Sequence, residues 1–454
     1  LSILSKLSNW LKCKQEKSQQ HSPLTAYIIP RAAHTVSRAD ISRYALKVLY
    51  RLKESGFQAY LVGGGVRDVL LKRDPKDFDI ATDAHPEQIQ TLFQNCRLIG
   101  RRFRLAHIHF GGHIVEVATF RASSQDSQPV TSHFQHSKEG MILRDNIYGT
   151  LEEDVIRRDF TINALYYNIA DFSIVDFVDG LKDLNAGCLR MIGNAEQRYR
   201  EDPVRMLRAI RFAAKLKFKI ETETEKPLFE LGALVKQVPS ARLVDEYGKL
   251  FLSGFSKESF ALLRRYQLFE ILFPQTEQCL KKDENKILVN DFIQQVLQDT
   301  DDRVAEDKPV GLPFLLAAFL WYPLQTKIHS QLEEGASEFS AFFDACDAVL
   351  LDQQKVVAIS RRLSQAVREI WILQNRLAKR TPKRVVQMML HPRFRAAYDF
   401  LLLRAKAGET SVQTLSAWWE KYVDASDEEQ TLLRSTLKNH VKSRARRKKQ
   451  KGVQ

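Results

Sequence analysis

Two aspartates two residues apart, Asp77 and Asp79, follow soon after three consecutive glycines and an arginine in the stretch Tyr-Leu-Val-Gly-Gly-Gly-Val-Arg-Asp of residues 60–68. Carboxylates held side by side repel, and a divalent cation relieves that repulsion. Magnesium often takes one or two carboxylates and completes its shell with substrate phosphates and water. Gly63 and Gly64 let a backbone approach a bulky anion. The N–H groups that open a helix suit phosphate, and Arg67 adds a charged fork. Each half has a plain alternative: glycine turns are common, and Asp-x-Asp is usually a solvated pair. The glycines match neither the P-loop nor the dinucleotide fingerprint. Together the halves describe a phosphate cradle facing a metal site, the equipment of nucleotidyl or phosphoryl transfer.

The positioning elements read as strand, glycine turn, helix, strand. Tyr60 to Val62 is an apolar run, and Val66, Val69, Leu70 and Leu71 give the following helix its apolar face. After Asp74-Pro75 a second strand is expected to carry both Asp77 and Asp79, with their carboxylates on one side. Upstream, residues 39–56 repeat Ala45, Leu46, Val48, Leu49 and Leu52 at helical spacing and stop at Gly56. Downstream, Pro86 opens a helix. Strand-like runs at 97–110 and 113–120 meet at Gly111-Gly112. Glu116 shares a strand face with Ile114 and Ala118 and reads as a solvated residue ahead of a third carboxylate. Residues 122–140, rich in Ser, Gln and His, read as a flexible loop over the site. His113, His133 and His136 lack metal spacing.

A second constellation, Arg157-Arg158-Asp159, enters an apolar segment, where charge must be paired or bound. An internal Arg–Asp bridge is one reading; Arg158 on phosphate, with Asp159 on ribose or on catalytic water and metal, is the other. Ile174 to Phe177 reads as a short strand, Asp179-Gly180 as a turn, and the α/β region ends near 187. Beyond 195 the pattern is helical. Pro203 suits a first turn, Arg205 and Arg208 share a face, and Glu201 and Asp202 precede Arg205 by four and three residues, a spacing for acid–Arg pairs. Val204, Leu207, Ile210 and Ala214 form the opposite face. Residues 240–273 hold two or three amphipathic helices ending at Pro274. Residues 276–310 are polar and acid-rich, a boundary or exposed loop, and Gly311 to Leu324 reads as one buried core helix. Helical patterns continue to 424, including Phe394 to Leu403, with no fixed-period repeat.

The 454 residues carry a net charge of +14, which favours an anionic partner, most simply nucleic acid. Apolar content of 44% and charged content of 27% describe an ordinary globular chain. Five scattered cysteines without metal-ligand spacing suggest free thiols in a reduced cytoplasmic protein. No apolar run reaches the ~18 residues of a membrane span. Residues 1–38 read as a peripheral extension. Leu4, Leu7, Trp10 and Leu11 among lysines offer contact with the inner membrane surface or a partner as the alternative to a mobile tail. Lys442 to Lys451 holds seven Lys or Arg, a disordered block suited to RNA phosphates.

Leu-Val-Gly-Gly-Gly-Val-Arg-Asp with Asp77-Phe78-Asp79, then Arg157-Arg158-Asp159, then Glu201-Asp202-Pro203-Val204-Arg205 resemble the class II nucleotidyltransferases, the group of tRNA CCA-adding enzymes and bacterial poly(A) polymerases. The resemblance covers about residues 46–215. It implies an α/β nucleotidyltransferase head, a mixed β-sheet with flanking helices, followed by all-α neck and body domains. The divisions are 1–38 extension, 39–187 head, 188–275 neck for base recognition and RNA binding, 276–430 RNA-binding body and 431–454 basic tail. It implies that Gly63, Gly64 and Arg67 cradle the triphosphate and that Asp77 and Asp79 hold two magnesium ions. Arg158 and Asp159 would contact phosphate and sugar, with Asp159 catalytic. Asp202 and Arg205 would read the base, with Arg208 nearby.

Gly100-Arg101-Arg102-Phe103-Arg104-Leu105-Ala106-His107 and Pro392-Arg393-Phe394 through Leu401 are similar to the bacterial poly(A) polymerase branch. That branch implies work on diverse RNA 3′ ends, with a monomer expected: template-independent transfer of AMP from ATP, with release of pyrophosphate. A CCA-adding enzyme is the first rival and a non-catalytic RNA-binding protein on the same fold the second. A phosphohydrolase would want clustered His and Asp, which are absent.

Overall fold

The structure, a computed structural model, describes residues 25–100, 104–122, 134–136, 142–145, 147–282, 286–308 and 310–437. The chain divides into two units, residues 1–202 with 218–225, and residues 203–217 with 226–454.

The first unit is built on strands β1 (Tyr27–Ile29), β2 (Ala59–Val62), β3 (Asp79–Thr82), β4 (Cys96–Ile99), β5 (Leu105–Phe110), β6 (His113–Thr119), β7 (Phe134–His136), β8 (Ile142–Asp145), β9 (Leu165–Asn168) and β10 (Ile174–Asp176). Eight form one mixed sheet in the order β1-β10-β9-β2-β3-β6-β5-β4. Only β3 and β6 run parallel within it. All four residues of β2 are buried, as its unbroken apolar run requires of a strand covered on both faces. On one face lies the helix Arg43–Glu54, opened by Ser42, whose Oγ accepts from the Tyr44 N–H at 3.2 Å. It buries Ala45, Val48, Leu49 and Leu52 and packs against β2, β3 and β6. On the other, Val62, Ala81 and Tyr166 share a core cluster with Val155 of the helix Leu151–Arg157.

Several expectations change here. Residues 27–29 are not peripheral, because the open edge of β10 gives Tyr27-Ile28-Ile29 a partner; the reading of residues 1–24 lies outside the described residues. The run 97–110 is two antiparallel strands, β4 and β5, because Gly100 at φ +86° leaves the extended region. Of the expected loop 122–140, residues 134–136 pair with β8 instead, and residues 123–133 and 137–141 lie outside the described residues. The first unit also runs past 187, to Asp202, because β11 (Cys188–Leu189) pairs with β12 (Lys219–Ile220) and ties 218–225 to it.

Every described element lying wholly in the second unit is helical. Residues 240–273 hold three helices, Ser240–Phe251, Ser256–Arg265 and Phe269–Leu272, and Pro274 opens the next, Pro274–Lys281, where a missing N–H costs nothing. The acid-rich stretch after it is not a loop: Lys286–Ala305 is a 20-residue helix. Val289, Phe292, Ile293, Val296 and Leu297 recur at helical spacing and are all buried. Its acids are put to use. Asp301 accepts from the Ser256 N–H at 2.8 Å and the Lys257 N–H at 3.2 Å, capping the helix Ser256–Arg265. Asp301→Ala should therefore lower stability by about 1 kcal/mol, read as a fall in thermal midpoint. The expected single helix at 311–324 is two, Leu312–Phe319 and Trp321–Glu333, meeting at Leu320. A second core gathers Leu377, Phe394, Trp419 and Tyr422.

The Cys96, Cys188, Cys279 and Cys346 thiols are free, as their spacing suggests. No helix among the described residues is long and apolar enough to cross a membrane. The basic block Lys442 to Lys451 lies outside the described residues.

Candidate active site

β2 ends at Val62, and Gly63 follows at φ +72°, ψ −135°, a region that essentially only glycine enters. The chain thereby reverses into the helix Gly64–Leu70. A β-carbon on Gly65 would lie 3.3 Å from Phe78 Cδ1 and 3.4 Å from the Asp77 carbonyl oxygen, so the aspartate segment rests on the start of that helix. Val62 pairs with Asp79 as the last register pair of β2 and β3. Asp77 is therefore outside the strand, contrary to the expectation from its spacing: at Gly63 the partner strand has already turned away.

A row of residues crosses the sheet in register: Tyr166 on β9, Val62, Asp79, Glu116 on β6 and His107 on β5. Residues paired this way present side chains to one face. Glu116, read from sequence as solvated, stands beside Asp79, and its Oε2 lies 3.2 Å from His107 Nε2. Burial pushes the Asp79 carboxyl up to about 6. Glu116 adds to the shift, Arg158 opposes it and Asp77 adds again, so all three carboxylates share one neighbourhood with Arg158.

Arg158 caps the helix Leu151–Arg157, whose start is a capping box between Thr150 and Glu153. Its Nη2 donates to Asp154 Oδ2 at 3.0 Å and its Nε to the Tyr166 hydroxyl at 2.6 Å; that hydroxyl donates to Asp154 at 2.7 Å. Burial alone would lower Arg158, but Tyr166 and Asp154 outweigh it and hold the guanidinium above its ordinary value. The internal bridge is thus Arg158–Asp154. A β-carbon on Gly63 would lie 3.7 Å from Arg158 Nη1 and 3.9 Å from Asp79 Oδ2, so cation and carboxylate converge over the glycine turn.

Arg67 is buried beneath that turn. Its Nε and Nη2 donate to Asp68 Oδ1 at 2.8 and 2.7 Å, and its Nη1 to Asn163 Oδ1 at 2.6 Å. A β-carbon on Gly64 would lie 3.5 Å from Arg67 Nη2. Asn163 in turn donates to Asp159 at 3.2 Å, and Asp159 also accepts from the Phe160 N–H at 2.9 Å. Arg67 and Asp159 are therefore joined in one buried network through Asn163.

The third constellation is not one helix. Asp202 is extended, at φ −148° and ψ 94°, as the residue before a proline is pushed to be. It ends the helix Ala195–Glu201 in the first unit, while Arg205 and Arg208 sit three apart on Val204–Leu216 in the second. Glu201 is bridged within its own helix to Arg198 at 2.8 Å. Sequence reasoning passed over Arg198, Asp154, Tyr166 and Asn163. Arg198 Nη2 donates to the carbonyls of Arg157 and Arg158 at 2.6 and 2.7 Å, anchoring the Arg-Arg-Asp segment. Burial of arginine and aspartate in an apolar segment was the available signal; the partners were not legible.

Among the described residues, no group of three or more His, Cys, Asp or Glu is arranged to hold an ion unaided. Asp79 is nevertheless a buried carboxylate with Glu116 paired beside it and Asp77 near, and carboxylate oxygens suit magnesium, which takes its remaining ligands from phosphate and water.

Three family models match the chain: "Poly A polymerase head domain" over residues 59–190, "Probable RNA and SrmB- binding site of polymerase A" over 217–280 and "Polymerase A arginine-rich C-terminus" over 334–452. The chain is 47% identical over 422 residues to "Poly(A) polymerase I" of Salmonella typhi, covering 92% of this chain and 90% of that one. It is 36% identical over 233 residues to the "CCA-adding enzyme" of Lactobacillus helveticus, covering 51% and 55%. Among solved structures, a "tRNA-processing enzyme (apo form I)" shares the fold with a TM-score of 0.58 at 23% identity, covering 89% of this chain and 99% of that one.

Proposed function

Because this chain belongs to the poly(A) polymerase family, we propose that it transfers AMP from ATP to the 3′-hydroxyl of RNA without a template and releases pyrophosphate. The observation that carries this reading is the convergence of Asp79, Glu116 and Arg158 at the glycine turn, in a chain matched over more than nine-tenths of its length by a poly(A) polymerase I.

Asp77 and Asp79 would hold magnesium, two ions in the fullest form of the mechanism. Bound there, the metal would lower the pKa of the attacking hydroxyl and neutralise charge on the transferring phosphate. The chain's own groups do the rest. The backbone of Gly63 and Gly64 admits the triphosphate, and Arg158, fixed by Asp154 and Tyr166, directs its Nη1 to the same place. Arg67 and Asp159 act from below by bracing the turn through Asn163. Asp202 accepts and Arg205 donates, matching one donor and one acceptor on adenine; Arg208 supports this reading as a further cation.

Glu116 is the addition that geometry makes to the motif residues. Glu116→Gln should lower turnover about 10- to 100-fold, and His107→Ala less, read in steady-state assays across magnesium concentrations. A Glu116→Gln enzyme of wild-type rate at every magnesium level would remove it from the site.

The direct experiment supplies purified protein and magnesium with a labelled single-stranded RNA and one nucleoside triphosphate at a time. A long ladder with ATP alone, absent in Asp77→Ala, is the expected result. Extension of tRNA alone, stopping after two cytidines and an adenosine, would mean a CCA-adding enzyme. No incorporation would favour a binding protein.

A further inference from the structure

In the second unit, the helices Trp321–Glu333, Glu338–Gln354 and Arg361–Ala378 leave an open groove of about 830 Å³. Its floor is apolar: Ile328 and Leu332 come from the first helix, Phe339, Phe342 and Phe343 from the second, and Ile372 from the third. Phe339 is 74% exposed and Leu332 39%, which is unusual for large apolar side chains sharing one concavity. Arg376 and Lys379 line this groove and also a second, adjoining one of about 310 Å³ that adds Arg384 and His391. Arg376, Lys379 and Arg384 are exposed and form no ion pair with a described residue.

Three helices around an apolar slot, with one cationic wall, have the form of a site for a fourth helix. We propose that this groove docks an amphipathic helix of a partner protein, with apolar residues at helical spacing and Asp or Glu along one flank. The chain's own basic stretches do not complement the wall: Lys6, Lys12, Lys14 and Lys17 flank one apolar stripe, and Lys442 to Lys451 holds seven cations. RNA fits the floor poorly. Ile328, Leu332 and Ile372 offer no flat face for a base, and Phe339 and Phe343 pack on each other with ring centroids 4.7 Å apart.

The test is to pan a display library of random peptides, about 16 residues or four to five helical turns long, over the full chain. Enriched peptides should carry apolar residues at i, i+3 or i+4, and i+7 with acidic flanks. They should bind at least about tenfold more weakly to Phe339→Glu and to Arg376→Glu/Lys379→Glu. Phe339 is exposed, so Phe339→Glu should keep the wild-type thermal midpoint and far-UV circular dichroism, which certifies its fold. No enrichment, enrichment of basic or non-helical sequences, or binding indifferent to these variants overturns the proposal. Displacement of the peptides by oligoadenylate would assign the groove to RNA. A dimer in sedimentation that Phe339→Glu disperses would assign it to a second copy.

Discussion

Asp79→Asn is expected to abolish nucleotide transfer, by at least about 10³-fold, while making the metal-free protein more stable at neutral pH. The two effects have one cause. Burial and the neighbouring Glu116 raise this carboxyl from 3.8 to about 6. Between those values the folded chain holds a proton that the unfolded chain has released. Stability therefore falls as pH rises through this window, and the deficit persists at pH 7, amounting to no more than about 3 kcal/mol. Asparagine removes the charge and with it the deficit. In chelator, the variant's thermal midpoint should exceed the wild type's at pH 7 and converge with it near pH 4. Magnesium should raise the midpoint of the wild type more than that of the variant. An active Asp79→Asn protein, or one less stable at pH 7, would contradict the assignment.

The second large effect is at Arg158. Arg158→Met leaves the buried Asp154 carboxylate without its cation, a change that typically costs about 3 kcal/mol, and it removes the guanidinium from over Gly63. Combining it with Asp154→Asn should restore most of the lost stability, because the orphaned carboxylate is gone. Transfer should stay at least about 10²-fold down in both variants, because no cation has returned. Full recovery of activity in the double variant would mean that Arg158 serves only the fold. Protease resistance of the first unit reports stability here better than whole-chain unfolding, since a chain of two units need not melt in one step.

The local part of this architecture was legible. The glycine turn at Gly63 and the helix that follows it were readable from residue type and spacing. Pro86 marked a helix start that the structure contains, and the stripe Val204, Leu207, Ile210 and Ala214 marked a face that it buries. Each of these rests on interactions between neighbours in the chain: a cap reaches two or three residues, and a helical stripe repeats within one turn. The acid-rich helix Lys286–Ala305 shows the weakness of composition against periodicity, since its aspartates hid a regular apolar stripe.

By itself the sequence determined the reaction class and the head-then-helices order. Only the tertiary structure decided which of the motif residues face one another. Glu116 alternates on its strand whichever neighbour β6 takes, and it joins the site because β6 pairs in parallel with β3. Asp77 leaves the strand because β2 turns away at Gly63, not because of anything at position 77. Arg67 and Asp159 meet through Asn163, and Arg198 holds the carbonyls of Arg157 and Arg158, across sequence distances that no local pattern spans. Alternation and spacing specify a face, but the partner of that face is set by which strands and helices bury the most surface together.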